Sequence, residues 1–121
     1  MLNEELKASI TNIAETVSFD ETGEWLTVMV TPEGLDALAN GLRYDDSLFF
    51  DYLFCLTCID WKTNLTMVYH FSSTKHRHNI VVKSILDINN PQIESLTHIW
   101  RTAEFHEREV YEMFGVHFLN H

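Results

Sequence analysis

The chain has 121 residues, 45% of them hydrophobic, and a formal charge of −10 from 18 acidic against 8 basic side chains. Such a length fits one domain by the usual prior of roughly 100–200 residues per domain, and the composition is that of a globular protein with a single core. The acidic balance opposes nucleic-acid binding, which needs a basic footprint against phosphate, and favours neutral or basic partners.

The opening residues, "MLNEELKASI", carry no basic stretch followed by an apolar run, so no targeting segment is expected there. The longest apolar run, Tyr52 to Leu56, is far short of the roughly 20 residues of a spanning helix, so membrane association is expected only through a partner. Asn3 to about Asn12 reads as a first helix, with Asn3 as its cap and Leu6, Ile10 and Ile13 on one side. Thr16 to Phe19 and Trp25 to Val30 read as strands joined by "DETG", a turn closed by Gly23. Thr31 then offers a side-chain cap, with Pro32 at the first helical position and Glu33 at the positive end of the helix dipole. The helix that follows turns Leu35, Leu38, Ala39 and Leu42 inward.

Asp51 to Ile59 is nearly all apolar and aromatic, as in a strand covered on both faces. It contains the C-x-x-C of "FCLTCIDW", a spacing found in redox pairs and half zinc sites. On a strand, residues three apart point to opposite faces, so Cys55 and Cys58 can neither pair nor share a ligand. They read as buried, inert thiols, and the lack of a disulfide framework fits a reducing compartment.

A turn at "WKTN" leads to a strand with strict alternation of Leu65, Met67, Tyr69 and Phe71. After "SSTKHRHN", a strand from Ile80 to Leu86 pairs back as a hairpin or meander, and "NNP" ends it. Lys75, His76, Arg77 and His78 read as a solvated hairpin tip or, failing that, as a basic contact for an acidic surface; His70, His76, His78 and the thiols are also the candidates for a free-standing enzyme or metal-binding domain. The four glycines form no G-x-G or G-K-[ST] loop that could cradle phosphate, and no Ser or Cys stands in a nucleophile context. Ser95 reads as the cap of a last helical region running to Phe114, with Gly115 as its C-terminal stop and "VHF" extended beyond. The order α-β-β-α-β-β-β-α points to an α+β two-layer sandwich, a mixed β-sheet with helices packed on one side.

That last region holds an anomaly. Advanced at about 100° per residue, Leu96, Trp100, Ala103, Val110, Tyr111 and Phe114 form one stripe, and Glu107 lies in its middle. His106 with Glu109, and Glu109 with Glu112, have the i, i+3 spacing of helical metal ligands, although no second helix offers a matching pair. A catalytic carboxylate is a second reading, since burial raises a Glu pKa toward useful values. A third is structural: a buried carboxylate paired with Arg108, Arg101, Arg43 or Lys83. Alternatively the helix breaks near Glu104 and Phe105, the face is reset, and Glu107 need not be buried.

The same residues carry a resemblance. "EREVYEMFGVHF" is similar to the signature of the 30 kDa subunit family of respiratory complex I, the proton-pumping NADH–quinone oxidoreductase. This chain supplies Glu107, Arg108 and Glu109, then Glu112, Met113 and Phe114, and finally His121; Gly115, Val116 and Phe118 match the family's "FGIxF". "SLTHIW" resembles the preceding "SVTxIW", and "VYHFSST" resembles the "VYHLYSL" strand. The likeness covers about Asp51 to His121. Arg101 stands where the family commonly has Pro, and Phe105 where it commonly has Trp. The sequence stops at His121, where the family continues with "PDLRR" and a tail along the neighbouring subunit, so the expectation is one domain over residues 1–121 without that tail.

The resemblance implies a non-catalytic scaffold or assembly subunit of the peripheral arm, with no flavin, iron–sulfur cluster, metal or quinone site of its own. It implies docking on the subunit that resembles a hydrogenase large chain, on the cytoplasmic face of the inner membrane, through an anchor comprising the ten signature residues. The equivalent subunit of a membrane-bound energy-converting hydrogenase is the alternative.

Overall fold

In the computed structural model, residues 3–14 and 16–121 are described. Alternation along the chain explains the central element. Leu65, Met67, Tyr69 and Phe71 of β4 (Asn64–Ser73) all point to one face and are buried, as are Ile80, Val82 and Leu86 of β5 (His78–Asp87), its antiparallel neighbour. On its other side β4 pairs with β3 (Tyr52–Asp60), again antiparallel. β2 (Leu26–Met29) joins β5 in parallel, with Leu26 opposite Ile80 and Val28 opposite Val82, and β1 (Ser18–Asp20) pairs antiparallel outside it. The result is a mixed sheet of order β1-β2-β5-β4-β3.

The helices bury one stripe each against the sheet's apolar face. α1 (Asn3–Ile13) contributes Leu6 and Ile10, α2 (Leu35–Tyr44) contributes Leu35, Leu38, Ala39 and Leu42, and α3 (Ala103–Phe114) contributes Ala103 and Val110. The α+β architecture read from the sequence is therefore the observed one. α2 is preceded by a 3-10 turn, Pro32–Gly34, in which Thr31 Oγ1 accepts the Gly34 N–H at 3.2 Å and Pro32 fills the first position. Gly115 closes α3 in the left-handed region (φ 73°), its N–H donating to the Tyr111 carbonyl. Asn3, read as a cap, is itself helical, and its side-chain amide donates to Glu21.

Four expectations need correction. The last helix does not begin after Ser95: residues 96–102 form irregular turns, closed by Ile99 and Trp100 N–H groups on the Leu96 carbonyl, and α3 starts at Ala103. Two short strands were missed as a pair: β6 (Gln92–Glu94) runs parallel to β7 (His117–Leu119), which is the extended "VHF". β3 is not covered on both faces; it is an edge strand with Leu53, Leu56 and Cys58 buried, Cys55 and Phe54 half-buried, and Tyr52 and Thr57 exposed. Its apolar composition has a different cause, since Phe54 joins Trp25 and His70 in an aromatic cluster on the face without helices. Lastly, His78 is the first residue of β5 and not a loop residue; it is buried on the core face, and its Nε2–H donates to the Leu48 carbonyl at 2.8 Å.

Gly41 sits where α2 crosses α1. A Cβ built there would lie 3.0 Å from Ile13 Cβ and 3.1 Å from Cγ1, inside normal contact. Ala should raise helix propensity by about 1 kcal/mol, but overpacking costs roughly 1–3 kcal/mol. Gly41→Ala is therefore expected to lower stability in urea titration, and a second change, Ile13→Ala, to recover part of the loss.

Candidate functional site

α3 has three buried residues, Ala103, Glu107 and Val110, and Glu107 is 0% exposed. The stripe seen in the sequence survives in part: Leu96 and Trp100 reach the same core from the preceding turns, Phe114 is half-buried, and Tyr111, read as part of the stripe, is 51% exposed. The carboxylate receives two donors from that segment. The Ser95 hydroxyl donates to Oε1 at 2.7 Å, and the Leu96 N–H donates to Oε2 at 2.8 Å. Ser95, expected as a helix cap, is instead a hydrogen-bond donor to the Glu107 carboxylate, and its own N–H donates to the Leu119 carbonyl of β7.

None of the four expected cations fills this role. Among the described residues, the one basic side chain within 4 Å of the Glu107 carboxylate is His121, its Nε2 3.6 Å from Oε1. Arg108 faces Glu104 at 3.7 Å, with both side chains at least 60% exposed, a pair worth little in water. Arg43 stacks over Tyr44 and Phe49, Arg101 is exposed, and Lys83 stands in β5. Burial raises the Glu107 carboxyl above its ordinary value, opposed by the Leu96 N–H, the Ser95 hydroxyl and the charges of His121 and His98. Burial, with the nearby Glu107 charge, also holds the Tyr69 phenol well above its usual value.

The surrounding segment is pinned by two further side chains that the sequence offered no way to assign. Trp100 Nε1–H donates to the Phe50 carbonyl at 2.9 Å, and the Thr102 hydroxyl donates to the Leu53 carbonyl at 2.8 Å, so the turns of residues 96–102 are stitched to the start of β3. A cavity of about 230 Å³ opens beside Glu107, lined by Arg108, Tyr111, His117, Phe118 and His121.

The signature residues therefore divide. Glu107 and His121 meet; Val116 is fully buried; Phe114 and Phe118 pack half-buried on the core; Gly115 makes the left-handed stop. Arg108, Glu109, Glu112 and Met113 face solvent, Met113 being 75% exposed. Glu109 and Glu112 lie on this outer face, and among the described residues no group of three or more His, Cys, Asp or Glu side chains converges as metal ligands would. His70 is on the sheet face opposite His78, while His76 donates through Nε2 to the Asp46 carbonyl at 2.7 Å, so the three histidines do not form one site. The thiols point to opposite faces as expected, though Cys55 is only half-buried; burial pushes the Cys58 thiol up to about 11.

The family model described as respiratory-chain NADH dehydrogenase, 30 Kd subunit, matches residues 28–121. A subunit of the NADH-quinone oxidoreductase of Chloroherpeton thalassium is 40% identical over 96 residues, 75% of this chain and 40% of that protein. A subunit of the F(420)H(2) dehydrogenase of Methanosarcina mazei is 36% identical over 77 residues, 62% of this chain and 49% of that protein. This chain thus spans about half or less of those two relatives. A solved trypsin-resistant fragment of Nqo5 has the same fold, with a TM-score of 0.81, 21% identity, and coverage of 98% of this chain and 96% of that one.

Removal and neutralisation of Glu107 should differ. Glu107→Ala leaves a buried hydroxyl and a buried N–H without their acceptor and is expected to cost about 3 kcal/mol. Gln can accept from Leu96 with its oxygen and donate to Ser95 with its amide, so Glu107→Gln is expected to be milder. Because the folded carboxyl holds its proton more tightly than the unfolded one, its contribution is fully present below the ordinary Glu range and is lost as pH rises through the folded value. Urea titrations across acidic to neutral pH should therefore show wild type losing ground to Glu107→Gln as pH rises.

Proposed function

Since the chain belongs to the family of the 30 Kd subunit of respiratory-chain NADH dehydrogenase, we propose that it is a non-catalytic scaffold subunit in the peripheral arm of an NADH–quinone oxidoreductase. The observation that carries this reading is the use made of the site's carboxylate. Both Glu107 oxygens accept from groups of its own chain, the Ser95 hydroxyl and the Leu96 N–H, and although a cavity of about 230 Å³ lies beside it the side chain has no solvent-exposed surface. A general acid or base must reach the proton it transfers, and a group with no exposed surface serves that task poorly. It serves well as a fastener. On this reading the docking surface is the outer side of α3, where Phe105, Tyr111 and Met113 stand exposed between Glu104, Glu109 and Glu112. Apolar side chains of this size, gathered on one helix, fit a protein partner better than solvent.

The partner in this proposal is the subunit resembling a hydrogenase large chain, and attachment to the cytoplasmic face of the membrane comes through the complex. Among the described residues no helix is long and apolar enough to cross a bilayer. A second reading, an equivalent subunit of a complex with another electron donor such as an energy-converting hydrogenase, draws support from the F(420)H(2) dehydrogenase relative.

Co-purification from the native membrane fraction tests both. The chain is expected in near-equal ratio with the other subunits of a quinone reductase, and the flavoprotein or hydrogenase subunits beside it name the complex. Arg108→Ala, a change at an exposed position, is expected to reduce incorporation several-fold while leaving turnover per assembled complex unchanged. A variant that assembles fully but stops electron transfer would overturn the scaffold assignment.

A further inference from the structure

The two ends of the sheet are treated differently. β1 is three residues long and ends in Asp20, whose carboxylate accepts from Thr22. Short, charge-bearing edges of this kind resist pairing with other chains. β3 is nine residues long, and residues 52–59 contain neither a charged side chain nor a proline. Its first part is covered, because Trp100 and Thr102 occupy the Phe50 and Leu53 carbonyls. A register shift between Leu53 and Cys55 follows, and beyond it the strand has β4 on one side only. Among the described residues, the backbone of residues 55–59 makes no hydrogen bond other than those to β4.

Beside this uncovered stretch runs a groove of about 200 Å³ between the strand and α3, lined by Leu56, Thr57, Glu109, Val110, Met113 and Phe114. Met113, the most exposed large apolar side chain among the described residues, is part of its wall. An added strand lies about 4.8 Å from its neighbour and turns alternate side chains to one face. Here one of those faces would look toward Met113 and Val110. Glu109 is the charged residue of the lining; Glu112 on the same helix and Asp60 at the end of β3 add negative charge nearby, against Arg108 on α3 and Lys62 after β3.

We propose that residues 55–59 of β3 accept an extended segment of a neighbouring subunit as an additional strand, its apolar side chains under Met113 and its Lys or Arg side chains against Glu109, Glu112 and Asp60. The backbone groups of β3 supply the affinity, and the groove and its acidic rim supply the selectivity. The inference rests on the reading of this chain as a subunit of a larger complex, and it names the surface and the chemistry of the contact.

The test compares amide hydrogen exchange, resolved to single residues over 54–60, between the chain alone and the complex purified from native membranes. Strand addition predicts that alternate residues slow by roughly 100-fold in the complex, because only every second amide points outward from β4. In parallel, Met113→Glu is expected to leave the unfolding midpoint of the chain unchanged and to lower its incorporation, in competition with wild type, by roughly tenfold. Equal exchange at every position, in a complex that contains the chain, overturns strand addition and leaves the subunit reading standing. Concentration-dependent slowing in the chain alone identifies a second copy as the occupant and overturns the proposal. Absence of the chain from the complex removes the subunit reading and this proposal with it.

Discussion

A carboxylate with no exposed surface must be met by donors, or the cost of withdrawing it from water makes the fold unstable. In this chain that demand is satisfied by Ser95 and Leu96, residues 12 and 11 positions earlier, with the ring of His121 3.6 Å away. Apolar packing is non-directional and would tolerate small shifts of α3 over the sheet. Hydrogen bonds of 2.7 and 2.8 Å do not. Glu107 therefore sets where α3 lies relative to the turns before it. Those turns in turn fix β3 through Trp100 and Thr102, and β7 through the Ser95 N–H.

This arrangement explains why residues 88–121 are ordered although they contain only one true helix and two three-residue strands. None of these pieces would persist alone; isolated short helices and strand pairs are marginal in water. The carboxyl group at the centre joins them into one unit through the Ser95 and Leu96 donors. It also leaves the outer side of α3 free of structural duty, with Phe105, Glu109, Glu112 and Met113 turned away from the core. A scaffold reading uses both halves of that division: an inner face that holds the domain together and an outer face available to neighbours.

The fold was legible where the deciding interactions are local. Alternation of Leu65, Met67, Tyr69 and Phe71, the Thr31–Pro32 start of a helix and the Gly115 stop each act within a few residues, and each is found as read. The misreadings came from patterns with more than one physical origin. Leu96 and Trp100 keep helical phase with Ala103, but they do so because a set of turns folds back onto the same core. The apolar run around Phe54 arises from an edge strand whose open face carries an aromatic cluster, not from burial between two layers. His78 sits beside a basic turn in sequence and inside the core in space, where Leu48, 30 residues away, accepts its proton.

For the candidate site, residue order alone decided the family, the central place of Glu107 on an apolar stripe and the chain's lack of a phosphate loop or cysteine framework. The family follows from the likeness of a signature motif and the rest from composition and spacing, none of which needs knowledge of distant contacts. The tertiary structure decided everything about partnership: that the carboxylate is buried, that hydroxyl and amide donors meet it with the His121 ring nearby, and that half of β3 is left without a second neighbour. Desolvation and hydrogen-bond geometry depend on which segments pack together, and that is settled only when the sheet, α3 and the turns of residues 96–102 come into contact.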